Sequence, residues 1–145
     1  MREASLSEFL SVSSVLDAYK VLSHLGKGSF SVVSLAVDRE THERMAIKTY
    51  SKIDEMADYK FDNIYREINN LKELAHQNII GLRHVIQDKR KLLLVMENGG
   101  ALSLAGLLRK NRVIAEPLAK EIFRQLAQGI AYCHEQGVCH RDLKL

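Results

Sequence analysis

The mixed run Tyr19 to Leu25 and the largely apolar run Val32 to Val37 have strand-like patterns, which predicts two β-strands joined by a glycine-containing turn. A polar stretch, Asp38-Arg39-Glu40-Thr41-His42-Glu43, separates them from a third run, the alternating Arg44 to Tyr50, in which Ala46 and Lys48 fall on the same face. The period then changes. Between Asp58 and Leu74 the apolar residues Phe61, Ile64, Ile68, Leu71 and Leu74 recur every three or four positions, predicting an amphipathic helix with Glu67 beside its buried stripe. Leu82 to Ile86 and Leu92 to Met96 read as two further strands, the second too apolar for an exposed edge. After Glu97-Asn98-Gly99-Gly100 the pattern becomes helical, over Leu102 to Lys110 and over Pro117 to His134, where Leu118, Ile122, Leu126 and Ile130 form a stripe. Residues 1–18 read as a lead-in with a short helix around Leu6, Phe9 and Leu10. The result is an α+β chain, β-rich before the break and helical after it.

Composition narrows the class without naming it. The 145 residues, 46% apolar and 27% charged, suffice for an ordinary domain core. A net charge of +3 is too small and too dispersed to predict nucleic acid or an anionic membrane as partner. The acid-containing start, Met1-Arg2-Glu3-Ala4-Ser5-Leu6-Ser7-Glu8, makes a poor signal peptide, and no run approaches the ~20 apolar residues of a membrane helix, so an intracellular (cytoplasmic) location is expected. Cys133 and Cys139, expected at a helix end and in a short buried strand, read as small apolar filler. Although His134 and His140 follow them, neighbouring side chains on a helix point about 100° apart and the usual zinc spacing is missing, so no metal site is expected among these residues.

Candidate chemistry begins in the turn between the first two strands, Leu25-Gly26-Lys27-Gly28-Ser29-Phe30-Ser31-Val32-Val33. Two close glycines allow a sharp turn and let bare N–H groups approach phosphate oxygens that a Cβ would obstruct. If the three strands form one antiparallel sheet, Lys48 aims a cation beneath that turn. Taken singly, a glycine turn is most often only a turn, a strand lysine only a solvated cation, and a helical glutamate only a surface acid. The ordered set decides otherwise: the glycine turn ending in Val33, then Ala46-Ile47-Lys48, then Arg66-Glu67-Ile68 in a helix, then His140-Arg141-Asp142-Leu143-Lys144.

In that order these motifs resemble a eukaryotic protein kinase domain, from about Tyr19 to Leu145. The resemblance implies a kinase-like N-lobe over 19–96, with a five-stranded antiparallel sheet and one helix, a hinge over 97–101, and the first helices of an incomplete helical C-lobe over 102–145. It further implies that Leu25 to Val33 close over the phosphates of ATP, that Lys48 pairs the α- and β-phosphates, and that Glu67 fixes Lys48. Val33 and Ala46 would flank the adenine, Met96 would back its pocket, and the backbone at Glu97 and Asn98 would supply the hinge donors and acceptors. Leu71 and Leu82 would join helix to sheet, with His140 in the same stack. Asp142 matches the aspartate that orients the substrate hydroxyl and accepts its proton. Lys144 matches the lysine that serine/threonine kinases place on the γ-phosphate. The spellings Asp-Leu-Lys-Leu, Arg-Glu-Ile-x-x-Leu-Lys and Tyr-Cys-His are most similar to the calmodulin-dependent and AMP-activated kinase group.

Three departures qualify what the resemblance implies. Ser31 stands where the family's third glycine is usual, and the segment from Met96 to Leu102 is about two residues short of the usual hinge. The asparagine and the Asp-Phe-Gly aspartate that bind Mg²⁺ in this family do not occur in the 145 residues, so the chain alone is expected to be catalytically silent. Arg141, which in the family engages a phosphorylated activation loop, would have no partner. The stripe on the last helix would face water, predicting aggregation or dependence on a partner. The competing expectation is a short non-catalytic form that binds nucleotide or a partner.

Overall fold

In the computed structural model, which describes residues 17–28, 30–100 and 102–145, five strands form one antiparallel sheet. They are β1 (Tyr19–Lys27), β2 (Ser31–Asp38), β3 (Arg44–Ser51), β4 (Leu82–Gln87) and β5 (Lys91–Glu97), in the spatial order β1-β2-β3-β5-β4. Helix α1 (Asp58–Glu73) lies between β3 and β4 in sequence, and α2 (Leu104–Asn111) and α3 (Glu116–Glu135) follow β5. The α+β class and the element order, three strands, a helix, two strands and two helices, are those the sequence pattern predicts. Each strand runs one or two residues further than its apolar pattern, because ladder hydrogen bonds continue through the polar ends. The lead-in helix expected around Leu6, Phe9 and Leu10 lies outside the described residues.

Two units divide the chain: residues 17–71 with 82–98, and residues 72–81 with 99–145. In the first, the strand register sorts side chains onto two faces, since directly opposed residues share a side of the pleat. Lys48 stands opposite Val33 on β2 and Leu94 on β5, while Ala46 stands opposite Leu35 and Met96. On that face Tyr50, Leu92, Leu94 and Val85 pack with Ile53, Ile64 and Ile68, and Phe61, Leu71, Leu82 and Met96 close the cluster's edge. The helical stripe read from the sequence is therefore the part of α1 that meets the sheet. The other face carries Tyr19, Ala36, Met45, Ile47, Ile86, Leu93 and Val95. Burial of the four largest enclosed side chains, Ile86, Leu92, Leu94 and Val95, contributes roughly 1.5–3 kcal/mol each.

The second unit is organised by α3. The Tyr132 hydroxyl accepts from the Ala75 N–H at 3.2 Å, and its ring stacks on His76 at 5.1 Å. Asn78 donates to the Gln125 carbonyl at 3.0 Å, and Gly129 lets that loop approach: a Cβ there would lie 3.3 Å from the Asn78 carbonyl oxygen. These contacts explain why residues 72–81 group with the later helices although the sheet resumes at Leu82. α2 starts two residues later than predicted because Ser103 caps it, its hydroxyl accepting from the Gly106 N–H at 3.1 Å.

One expectation fails here. Cys139 is exposed, and residues 138–145 hold neither strand nor helix; the Val138 N–H turns back to the Cys133 carbonyl at 2.8 Å to close α3, and among the described residues no strand pairs with the segment. Cys133 is buried at the helix end, as expected. Of the stripe on α3, Leu118 and Leu126 are exposed and Ile122 and Ile130 are half-buried; Phe123, beside the stripe, is 70% exposed. An uncovered aromatic of this size favours self-association. Phe123→Lys is accordingly expected to cut self-association at a fixed concentration at least about threefold, at ~0.5 kcal/mol or less of stability, as read by sedimentation and thermal melting.

Candidate active site

The first unit assembles four of the predicted groups. β1 and β2 stay paired through Gly26 opposite Val33 and Lys27 opposite Val32, and the Gly28 N–H donates to the Ser31 carbonyl at 2.8 Å to close the turn. A Cβ built on Gly28 would lie 3.2 Å from the Ser31 hydroxyl, so the closed turn favours glycine there. At Gly26 a Cβ would meet nothing within 4 Å. The backbone beside Val33 is therefore bare and faces open space, as a phosphate cradle needs.

On the same face as Val33, the Lys48 ammonium donates to Glu67 Oε1 at 2.6 Å. The helix period puts Glu67 one residue before Ile68 and three after Ile64, so packing of the stripe brings the carboxylate to the face of the central strand β3. Its other oxygen, Oε2, accepts from the Tyr50 hydroxyl at 2.7 Å. Burial first, then the hydrogen bond to Glu67, push the Tyr50 phenol far above its ordinary value of 10.0. The pair itself is half-buried, with 23% of the Lys48 side chain and 36% of the Glu67 side chain open. Beside it lies a cavity of about 370 Å³ lined by Phe30, Tyr50, Met56, Lys60 and Glu67 among others. Phe30, at the tip of the turn, lies 4.0 Å beneath the Lys60 ammonium of α1, a cation–π contact between turn and helix.

The remaining predicted residues of this unit divide by environment. Ala46 is buried opposite Met96, and Val32 and Val33 are half-buried, whereas Leu25, Lys27 and Phe30 are exposed. Ser29 lies outside the described residues. Glu97 turns its side chain to Arg83 on β4 at 2.8 Å, and Asn98 is the last residue of the unit. Leu71 and Leu82 both touch the cluster between α1 and the sheet.

Asp142 and Lys144 belong to the second unit, where they pair with each other at 2.7 Å, both largely exposed. That hydrogen bond, followed by the lysine's charge, holds the Asp142 carboxyl below the ordinary carboxylate value. An acid so placed is ionised at neutral pH and can accept a hydrogen bond from a hydroxyl. The Asp142 N–H donates to His140 Nδ1 at 3.2 Å, and Arg141 adopts a left-handed backbone with φ 61°. His140 is exposed. Among the described residues no group of three His, Cys, Asp or Glu side chains is placed to hold a metal ion, and no helix is long and apolar enough to cross a membrane.

Two contributors were not singled out from the sequence. Tyr50 lies two positions beyond Lys48, and the same alternation that joined Ala46 to Lys48 extends to it. Lys60 carries no comparable signal, because its contact with Phe30 depends on how α1 is placed.

The first unit thus joins a glycine turn, a strand lysine and a helix glutamate paired with that lysine. The family model described as protein kinase domain matches residues 19–145. Among curated proteins the chain is 37% identical over 133 residues to the rice (Oryza sativa subsp. japonica) serine/threonine-protein kinase SAPK4, covering 90% of this chain and 35% of that protein. It is 36% identical over 126 residues to CBL-interacting serine/threonine-protein kinase 26 of Arabidopsis thaliana, covering 87% and 29%. Among solved structures, that of Rad53 1-466 in complex with AMP-PNP superposes with a TM-score of 0.75 at 30% identity, covering 90% of this chain and 34% of that one. The chain belongs to the protein kinase family, in its eukaryotic serine/threonine branch. It spans about a third of the length of the relatives it matches.

Proposed function

We propose that the protein is an ATP-dependent serine/threonine kinase, transferring phosphate to a hydroxyl of a protein substrate, and that these 145 residues supply its nucleotide site. The observation that carries the reading is the Lys48–Glu67 pair, which shares a sheet face with Val33, Ala46 and Met96 beside the bare backbone of Gly26. In this reading the N–H groups of residues 25–33 and the Lys48 ammonium bind the phosphates, and Glu67 keeps the ammonium in place. Val33, Ala46 and Met96 give the adenine an apolar pocket, and residues 97–101 act as a hinge between the lobes 19–96 and 102–145.

Asp142 orients the substrate hydroxyl and accepts its proton as the hydroxyl oxygen bonds the γ-phosphorus and the bond from that phosphorus to the β–γ bridging oxygen breaks, ADP being the leaving group, while Lys144 exchanges its present partner for the γ-phosphate. Mg²⁺ supplies charge neutralisation at the phosphates, and of the residues that hold it in this family these 145 contain neither the asparagine nor the Asp-Phe-Gly aspartate. By themselves the 145 residues are therefore proposed to bind nucleotide without turning it over.

Gly26→Val tests the cradle, because a Cβ there has no protein atom within 4 Å and stands where a ligand would approach from outside. Calorimetric titration with AMP-PNP is expected to show at least about a tenfold loss of affinity, with stability within ~0.5 kcal/mol of the parent. A parent chain with no affinity for AMP-PNP, or a variant that binds equally well, would refute the reading.

A further inference from the structure

We propose that Tyr50 is a positioning residue: its hydroxyl anchors the second carboxylate oxygen of Glu67, so that the acid stays turned to Lys48 while Lys48 engages phosphate. The inference deepens the proposed nucleotide site and rests on it. Glu67 is held at both oxygens by β3, through Lys48 at 2.6 Å and Tyr50 at 2.7 Å. The two donors stand on one face because they are two residues apart on a strand. The Tyr50 ring is fixed in turn. The residue as a whole is only 5% exposed, it belongs to the cluster of Ile64, Ile68 and Leu92, and the Lys48 ammonium lies 5.1 Å from the ring centre.

This geometry separates two tasks that a lone Lys–Glu pair must combine. A carboxylate bound only by the lysine competes with phosphate for the ammonium, and it is free to rotate whenever phosphate draws the ammonium away. A neutral donor on the other oxygen weakens that competition by satisfying part of the carboxylate's demand for hydrogen bonds. It also keeps the carboxylate oriented when the ammonium moves. The ionisable groups around the phenol are Lys48 on its own strand and, from α1, Glu67, Tyr59 and Lys60, which line the same cavity.

Tyr50→Phe keeps the ring and removes the anchor. In the full 145-residue chain it is expected to weaken AMP-PNP binding about threefold to tenfold, with the melting temperature lowered by about 2–8 °C and the fold retained. In a Glu67→Gln background the same substitution is expected to change affinity by less than about 1.5-fold, because its target carboxylate is gone. Equal binding by Tyr50→Phe and the parent, or an equal loss in both backgrounds, overturns the inference. A second readout does not depend on nucleotide. The chain has 5 tyrosines, and alkaline titration of tyrosinate absorbance should show Tyr19 and Tyr50 delayed, with the later of the two disappearing in Tyr50→Phe and ionising at lower pH in Glu67→Gln. If Glu67→Gln leaves that late tyrosine unmoved, the anchor is refuted even where AMP-PNP binds. If the late tyrosine moves but the parent chain fails to bind AMP-PNP, the contact stands, the functional reading falls, and the positioning role falls with it.

Discussion

Lys48→Met is expected to weaken adenine-nucleotide binding by roughly 10- to 100-fold while barely altering stability, and the contrast between the two effects is the informative part. The Lys48–Glu67 pair is partly open to solvent, so its share of folding stability is discounted to about 0.2–1 kcal/mol despite the 2.6 Å separation. Against phosphate the same ammonium makes charge-assisted hydrogen bonds, each worth about 1.5–3 kcal/mol because both partners are charged. Isothermal titration with AMP-PNP and urea unfolding on one preparation measure both quantities. A stability loss above ~2 kcal/mol with unchanged affinity would recast the pair as a structural strut. Lys48→Arg is expected to recover only part of the affinity, because a planar guanidinium does not reproduce the point contact that Oε1 receives.

That contrast follows a division in how the fold was legible. Alternation, or a short apolar run bounded by turns, located the five strands, and the three-and-four spacing located α1, because burial of one face or of both imposes those patterns. Lys48 and Glu67 were found as a motif, and their meeting depends on Ile64 and Ile68 docking on Leu92 and Leu94, which no local pattern states. Tyr50 was overlooked for a different reason: an apolar ring at a buried strand position is fully explained by packing, and only its hydroxyl at 2.7 Å from Glu67 adds chemistry. Cys139 was misplaced because a short apolar stretch cannot announce whether a neighbouring strand exists to pair with it. Residues 72–81 joined the second unit through Tyr132 and Asn78, polar contacts spanning more than 45 positions of sequence.

Leu94→Ala carries the largest expected effect on stability, and its position makes it a test of how the site is held. Leu94 has no solvent exposure, stands opposite Lys48 on β3 and Val85 on β4, and packs on the face that meets α1. Truncation is expected to cost about 2–5 kcal/mol, a large share of the ~5–15 kcal/mol that holds a typical domain, as read from the urea midpoint at constant slope. Leu93→Ala, one residue away but on the opposite face with Ile47 and Ile86, is expected to cost a similar amount. The two should part in AMP-PNP affinity measured below the unfolding transition. A cavity beneath Ile64 and Ile68 loosens the helix that carries Glu67, so Leu94→Ala is expected to lose at least about threefold in affinity, whereas Leu93→Ala leaves the Lys48–Glu67 geometry and the affinity within about twofold. Equal losses in both variants would mean that affinity tracks global stability, and that the docking of α1 on this face does not set the position of Glu67.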